Sequence, residues 1–364
     1  MYTRVLFVLL AYLLGPSVAS YAQTRAIIGH SARANQPALG LVHGTEGSTV
    51  FDYWWISSST VILFEPATGF QGDYRYRYVR LDAPSRQSTL MQGLWDIYPN
   101  EAVQPSNDGR FFLLRSSTLN NPERVVVDAA GHTVDKQIHN HNLSSDAAVW
   151  QPDNSGWVEL DRSGFDGRLV VYRLGRSGRH DKLPPHIANH DFGGNATLLG
   201  MADKNHVIAS ERVNASRFRI ASVGLDGVTE SGWPINLSCD SIDAEIIEVA
   251  LSRDGKHLVY SVMTPIDTHN LLTVGTYVTF YVCDLNGAGL HSVFRLLMPK
   301  FMLMSSHVED PSVDRLPRTL KWTPDGKRLC FLYNGKLWAF DIAGRVGQSG
   351  KHKTEMEPIL EEPQ

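Results

Sequence analysis

Cysteine is scarce in this chain: Cys239, Cys283 and Cys330 are the only three in 364 residues. That is too few, and too scattered, for the disulfide framework that holds small secreted domains together. Cys283 and Cys330 fall inside apolar strand patterns, which favours buried free thiols, with a single bridge as the alternative. There is no surplus of positive charge either. The 34 Lys and Arg face 38 Asp and Glu, so the clustered basic surface of a nucleic-acid binder is not expected. The apolar run from Val5 to Leu14 is about half the roughly 20 residues needed to span a bilayer, and no later segment is more apolar. No segment sustains helical periodicity. The G-x-S-x-G nucleophile elbow and the H-E-x-x-H zinc motif are both missing. The Gly-rich "DFGGN" lacks the strand–turn–helix setting of a phosphate loop.

What the N-terminus does have is Arg4, then that apolar run, a helix-breaking Gly15-Pro16, and the small-residue pattern Ser20-Tyr21-Ala22. This predicts a secretory signal peptide over residues 1–22, cut near Ala22, and hence an exported, periplasmic or secreted protein. No transmembrane segment is expected in the mature chain. Residues 23–345 are expected to form one domain and 346–364 a polar tail.

The domain is built on repetition. In "KWTPDGKRLCFLYNGKLWAFDIAG", Lys321 to Gly344, three short apolar strands are separated by Asp-Gly and Asn-Gly turns, which supply the positive φ angles of tight hairpins. The same punctuation recurs at Asp254, Asp108, Asp153, Asp203 and, degenerately, near Ser58. The intervals are about 45 to 51 residues, and the last is about 20 longer through an insertion placed at about 299–317; such periods mark propellers or solenoids. A second mark, a strand ending in a turn, falls in register at Arg80, Asp128, Arg173, Gly224, Asp284 and Asp341. With a fourth strand per unit, as in "HSVFRLLM", the reading is an all-β, six-bladed β-propeller of four-stranded antiparallel blades. The last unit lacks one strand, and "TRAIIGHS", Thr24 to Ser31, is expected to supply it and close the ring.

The pattern resembles the TolB-type β-propeller repeat, in which Trp/Phe-Ser-Pro-Asp-Gly-Lys/Arg precedes a strand and a later Asp-Leu/Ile-x-Gly. "WTPDGKRLCFLYNGKLWAFDIAG" and "LSRDGKHLVYSV…FYVCDLNG" carry the resemblance most fully, and it extends over nearly all of the mature chain. It implies the fold. For function it implies a range, since translocation proteins, sugar-acid lyases and peptidase accessory domains share such repeats.

A meander places its first and third turns on one face and its second turn and blade-to-blade crossover on the other. The Asp-Gly turns therefore share a face expected to be short and structural, and the crossovers collect on the opposite face, where binding loops are usual. The segments assigned as crossovers carry His139, His141, His186, His190 and His307, with Asp96, Asp191, Asp240, Glu309 and Asp310. Imidazole with carboxylate is a divalent-metal set, so these residues are candidate ligand-binding positions and a metal is one possible occupant. "YRYRYVR", Tyr74 to Arg80, reads as a strand with one packed and one wetter face rather than a polyanion surface. Trp54, Trp55, Trp150 and Trp322 read as inter-blade packing. Two functions stand open. One is a monomeric scaffold without a cofactor that binds a protein or cell-envelope component, saccharide included, through its loop face. The other is an extracytoplasmic metal- or His-dependent lyase or hydrolase acting on carbohydrate.

Overall fold

The computed structural model describes residues 39–42, 49–66, 74–82, 88–90, 103–115, 123–138, 148–161, 167–174, 186–192, 196–225, 235–239, 244–265, 275–299, 316–333 and 335–342. They form six four-stranded antiparallel sheets in a six-bladed β-propeller. Blade 1 contains β2 (Asp52–Ser57), β3 (Thr60–Pro66), β4 (Tyr74–Arg80) and β5 (Ser88–Leu90), and blade 2 contains β6 (Val103–Pro105), β7 (Phe111–Arg115), β8 (Glu123–Asp128) and β9 (Thr133–Ile138). Blade 3 is β10 (Ala148–Trp150), β11 (Gly156–Asp161), β12 (Gly167–Arg173) and β13 (His186–Phe192), and blade 4 is β14 (Ala196–Met201), β15 (His206–Asn214), β16 (Arg217–Gly224) and β17 (Ile235–Ser238). Blade 5 is β18 (Glu245–Leu251), β19 (His257–Pro265), β20 (Gly275–Asp284) and β21 (His291–Pro299). Blade 6 takes β22 (Arg318–Trp322), β23 (Arg328–Tyr333) and β24 (Lys336–Asp341) from the C-terminal side and β1 (Leu39–Leu41) from the N-terminal side.

All six predicted first turns join the first and second strands of a blade, and the six later marks, Arg80 to Asp341, are the last residues of the six third strands. The ring closes as expected in kind but with a different segment. Leu39, Gly40 and Leu41 pair with Phe340, Ala339 and Trp338, and Val42 and Val50 extend the tie through their amides to the carbonyls of Leu337 and Gly335. Thr24 to Ser31 lies outside the described residues, as do the signal-peptide segment, the insertion 300–315 and the tail. The closing strand sits two residues beyond Pro37, and its Leu39 is buried in the core shared by blades 5 and 6.

Each hydrophobic cluster joins two neighbouring blades. Val259, Phe280 and Phe294 of blade 5 meet Trp322, Phe331 and Phe340 of blade 6. Tyr53 and Val61 of blade 1 meet Cys330 and Leu337 of blade 6. Trp55, Trp150 and Trp322 are buried in these seams, as expected of packing aromatics. All three cysteines are free. Burial pushes the Cys283 thiol up to about 11 and that of Cys330 up to about 12. Two of the three arginines of "YRYRYVR" turn to a buried carboxylate, Arg77 gripping Glu65 through Nε at 3.0 Å and Nη2 at 2.6 Å and Arg75 lying at 3.5 Å, while Arg80 is exposed beside Asp82.

Three first turns share one hydrogen-bond plan. The hydroxyls of Ser106, Ser252 and Thr323 donate to Asp108, Asp254 and Asp325 at 2.7, 2.6 and 2.6 Å. The same Asp oxygens accept from the amides of Arg110, Lys256 and Lys327. The glycine that follows is left-handed in each, with φ of 69°, 71° and 66° at Gly109, Gly255 and Gly326. Partial burial acts to raise the three carboxyl pKa values, but these donors outweigh it and hold all three below the usual range. A depressed folded pKa contributes stability that is complete above the unfolded value of about 3.9 and is lost as pH falls through the folded one. Changing Asp108, Asp254 and Asp325 together to Asn should therefore flatten the acid limb of a melting-temperature profile below about pH 4.

The glycines differ in their surroundings. A Cβ on Gly255 would lie 2.5 Å from the Cα of Ala202 in the next blade, whereas one on Gly326 meets nothing within 4 Å. Gly326→Ala should cost only the left-handed penalty of about 1–2 kcal/mol. Gly255→Ala should cost clearly more, because backbone must also move apart, and urea unfolding of the two variants checks the order.

Candidate functional site

First strands line the axis, and their neighbours touch across blades, as β18 does β22 and β10 does β14. At the turn end the axis is braced by polar contacts. Arg253 of blade 5 reaches across the ring to donate to the carbonyls of Ile56 in blade 1, at 3.2 Å, and Asn107 in blade 2, at 2.9 Å. Asn107 is in turn tied to blade 3, its amide donating to Asn154 Oδ1 and its side chain to the Gln151 carbonyl, both at 2.8 Å. Arg328 of blade 6 donates to the Ser58 carbonyl of blade 1 at 3.1 Å. The polar groups of the turn face named here thus serve the scaffold.

Toward the crossover end, charged and strained groups gather on the first strands of blades 5, 6 and 1. Between Arg318 and Lys321 the register of β22 against β23 shifts. Within that bulge Thr319 has φ of 57°, a genuine outlier for a β-branched residue. The displaced backbone is used on both sides. The Leu320 and Thr319 amides favour the ionised form of the Glu248 carboxyl of β18, and the Thr319 carbonyl accepts from the Tyr53 hydroxyl of β2 at 2.8 Å. The Lys321 ammonium donates to Asp52 Oδ1 at 2.8 Å and to the Tyr53 carbonyl, and lies 4.9 Å from the ring centroids of Tyr53 and Trp54. Arg318 donates to the Phe51 carbonyl at 3.1 Å.

Glu248 is partly buried. Its pKa is raised to about 7, chiefly by burial, with the neighbouring Asp52 charge adding to it and the two amides and Lys321 opposing. Burial also holds the Tyr53 hydroxyl well above its usual value, assisted by the Cys330 sulfur and the carboxylates of Glu248 and Asp52. A carboxyl shifted toward neutrality can accept or donate a hydrogen bond to a ligand that reaches it.

The histidine set is distributed differently from the sequence expectation. His186, His190 and Asp191 lie on β13 itself, not in a crossover. That strand is the outermost of its blade, so it is at the rim and not at the channel mouth. His186 pairs with Val171 near the turn end of the blade, and His190 is about 13 Å further along at strand rise. His139, His141, Asp240, His307 and Glu309 lie outside the described residues, as do Asp96 and Asp310. Among the described residues no group of three His, Cys, Asp or Glu converges to hold a metal. The described histidines His132, His206 and His257 sit instead on the turn face, each with Nδ1 against an aspartate at 3.1, 2.9 and 3.1 Å. Nor are long connections confined to the crossover face, since residues 174–185 join the third and fourth strands of blade 3.

No family model matches the chain, and no curated protein does. Among solved structures it is similar to a putative TolB from Agrobacterium tumefaciens, at 12% identity and a TM-score of 0.46, covering 83% of this chain and 95% of that one. TolB from Acinetobacter baumannii gives 11% and 0.44, covering 78% of this chain and 63% of that one. An oligogalacturonate lyase in complex with manganese gives 14% and 0.41, covering 81% and 89%. At such identities the likeness is one of fold, and the six blades rest on the strand pairing itself.

The bulge supplies a test of its own. Thr→Gly in an ordinary strand loses about 1 kcal/mol, but at φ of 57° the substitution relieves strain. Thr319→Gly should leave the melting temperature unchanged or raised.

Proposed function

We infer that this chain is an exported propeller that binds a protein or cell-envelope component, saccharide included, at the crossover end of its ring. The observation that carries the reading is the division of polar groups between the two ends. Asp108, Asp254 and Asp325 are consumed by their own turns, and Arg253 by cross-ring carbonyls. At the other end Glu248 keeps a carboxyl raised toward neutrality, near Lys321, which is itself held by Asp52 and the Tyr53 carbonyl. A rigid frame whose crossovers 91–102 and 300–317 leave from that same end suits recognition of a large partner. His139, His141, Asp240, His307 and Glu309 are the crossover residues that would contact it. Export rests on residues 1–22.

Two measurements test this. Residues 1–22 fused to a reporter active only outside the cytoplasm should give signal and a cut near Ala22. Immobilised protein should retain a component of the source organism's envelope extract, or a glycan on an array, and the His141→Ala, His307→Ala, Glu309→Ala variant should lose it at an unchanged melting temperature. Loss on the turn-face variant Lys204→Ala, Asn286→Ala instead would overturn the assignment of the binding end.

A further inference from the structure

Blades diverge outward from the axis, so a seam that is tight at the first turns opens toward the outer strands. Between blades 4 and 5 the tight part is at Gly255, where a Cβ would lie 2.5 Å from the Cα of Ala202. Further out, the row of β16 that faces blade 5 runs Phe218, Ile220, Ser222, at the alternation of a strand. The first two belong to the core of this seam and the third does not, so apolar packing stops at Ser222. A cleft of about 600 Å³ opens there, with Ile235 and Leu285 as apolar walls and Ser222, Lys256 and Asn286 as polar ones. We propose that this cleft is a second binding site, for a small organic monocarboxylate whose apolar body lies on Ile235 and Leu285. It is at the turn end, takes a small molecule in place of a large partner, and does not rest on the reading of the crossover end.

The turns of blade 5 bring the polar groups together. The Leu285 amide donates to the Lys256 carbonyl at 2.7 Å, which ties the third turn to the first. The Gly287 amide donates to the Asp284 carbonyl at 2.8 Å, so Asn286 sits within a tight turn. Its Oδ1 accepts from the Ala288 amide at 2.9 Å, which leaves the Nδ2 hydrogens to donate. Among the described residues no hydrogen bond or ion pair takes up Asn286 Nδ2, the Lys256 ammonium or the Ser222 hydroxyl. The carboxylates of the same turns are occupied. Asp254 accepts from the Ser252 hydroxyl at 2.6 Å and the Lys256 amide at 3.2 Å. Asp284 lies 3.1 Å from His257 Nδ1, and the His257 ring is turned to blade 6, 6.3 Å from that of Trp322.

This chemistry selects the ligand. Lys256 and Asn286 Nδ2 offer donors alone and Ser222 adds a hydroxyl, so the complementary group is an acceptor carrying negative charge. One ammonium balances one charge, which favours a carboxylate over a phosphate dianion. Small-molecule sites run to about 300–1,000 Å³, mostly apolar with a few polar groups that fix orientation, and the cleft falls within that range.

Calorimetric titration of the full chain with hexanoate, set against hexanamide and inorganic phosphate, tests the proposal. Hexanoate should bind saturably, in the millimolar range usual for so small a ligand, and more weakly as salt is raised. Hexanamide and phosphate should give no saturable heat. Lys256→Gln should weaken hexanoate binding about tenfold, the loss expected for a hydrogen bond to a charged group. Ser222→Leu fills the cleft and should abolish binding. Lys256 is exposed, so its variant keeps a readout if Ser222→Leu does not fold. Retention of an envelope component through His141, His307 and Glu309 should be unchanged in Lys256→Gln, so the two sites fail separately. No saturable binding of hexanoate, equal binding of hexanamide or of phosphate, or an unchanged affinity in Lys256→Gln would each overturn the proposal.

Discussion

A sheet that is apolar on both faces can bury them only against other sheets. Every blade here is of that kind: in β23, Leu329 and Phe331 belong to the core shared with blade 5, and Cys330 and Leu332 to the core shared with blade 1. No blade is stable by itself, and an open row of six would leave two faces bare. Closure into a ring removes the ends, which makes the short pairing of β1 with β24 the contact on which the remaining seams depend.

Polar groups inside the seams set which blade meets which and in what register. Arg124 of blade 2 donates through Nε to both Glu159 oxygens in blade 3 at 3.0 Å, and the Trp157 indole donates to the same carboxylate. Arg212 does a similar task between blades 4 and 5. Buried pairs of this kind add little net stability over apolar packing, but breaking one strands a charge, so misregistered blades are penalised by several kcal/mol. The Glu248 site is the exception in this set, because its ionised form is favoured by two amides and only a shared cation.

The periodic part of the structure was legible because turn chemistry is local. Asp-Gly at 108, 254 and 325 must take positive φ at the glycine, and hydroxyl–Asp–amide bonding within five residues needs no tertiary partner. Closure was legible as a missing strand but not as Leu39–Leu41, since a three-residue strand containing glycine is a weaker pattern than the apolar "AII" nearby. The site was not legible. Glu248, Thr319 and Lys321 follow no motif, and their meeting depends on a bulge and on three blades converging at the axis. His186 and His190 misled because a polar outermost strand reads like a loop; strand edges at the rim need no alternating apolar face.

The central claim is that six mutually dependent blades are held by one N-terminal strand. Deleting residues 39–42 while keeping the rest of the chain, then following urea unfolding by tryptophan fluorescence and size by light scattering, tests it most directly. The account predicts loss of the single cooperative transition and association through the bared β24 edge. A monomeric deletion variant that unfolds in one transition with the wild-type midpoint would contradict it.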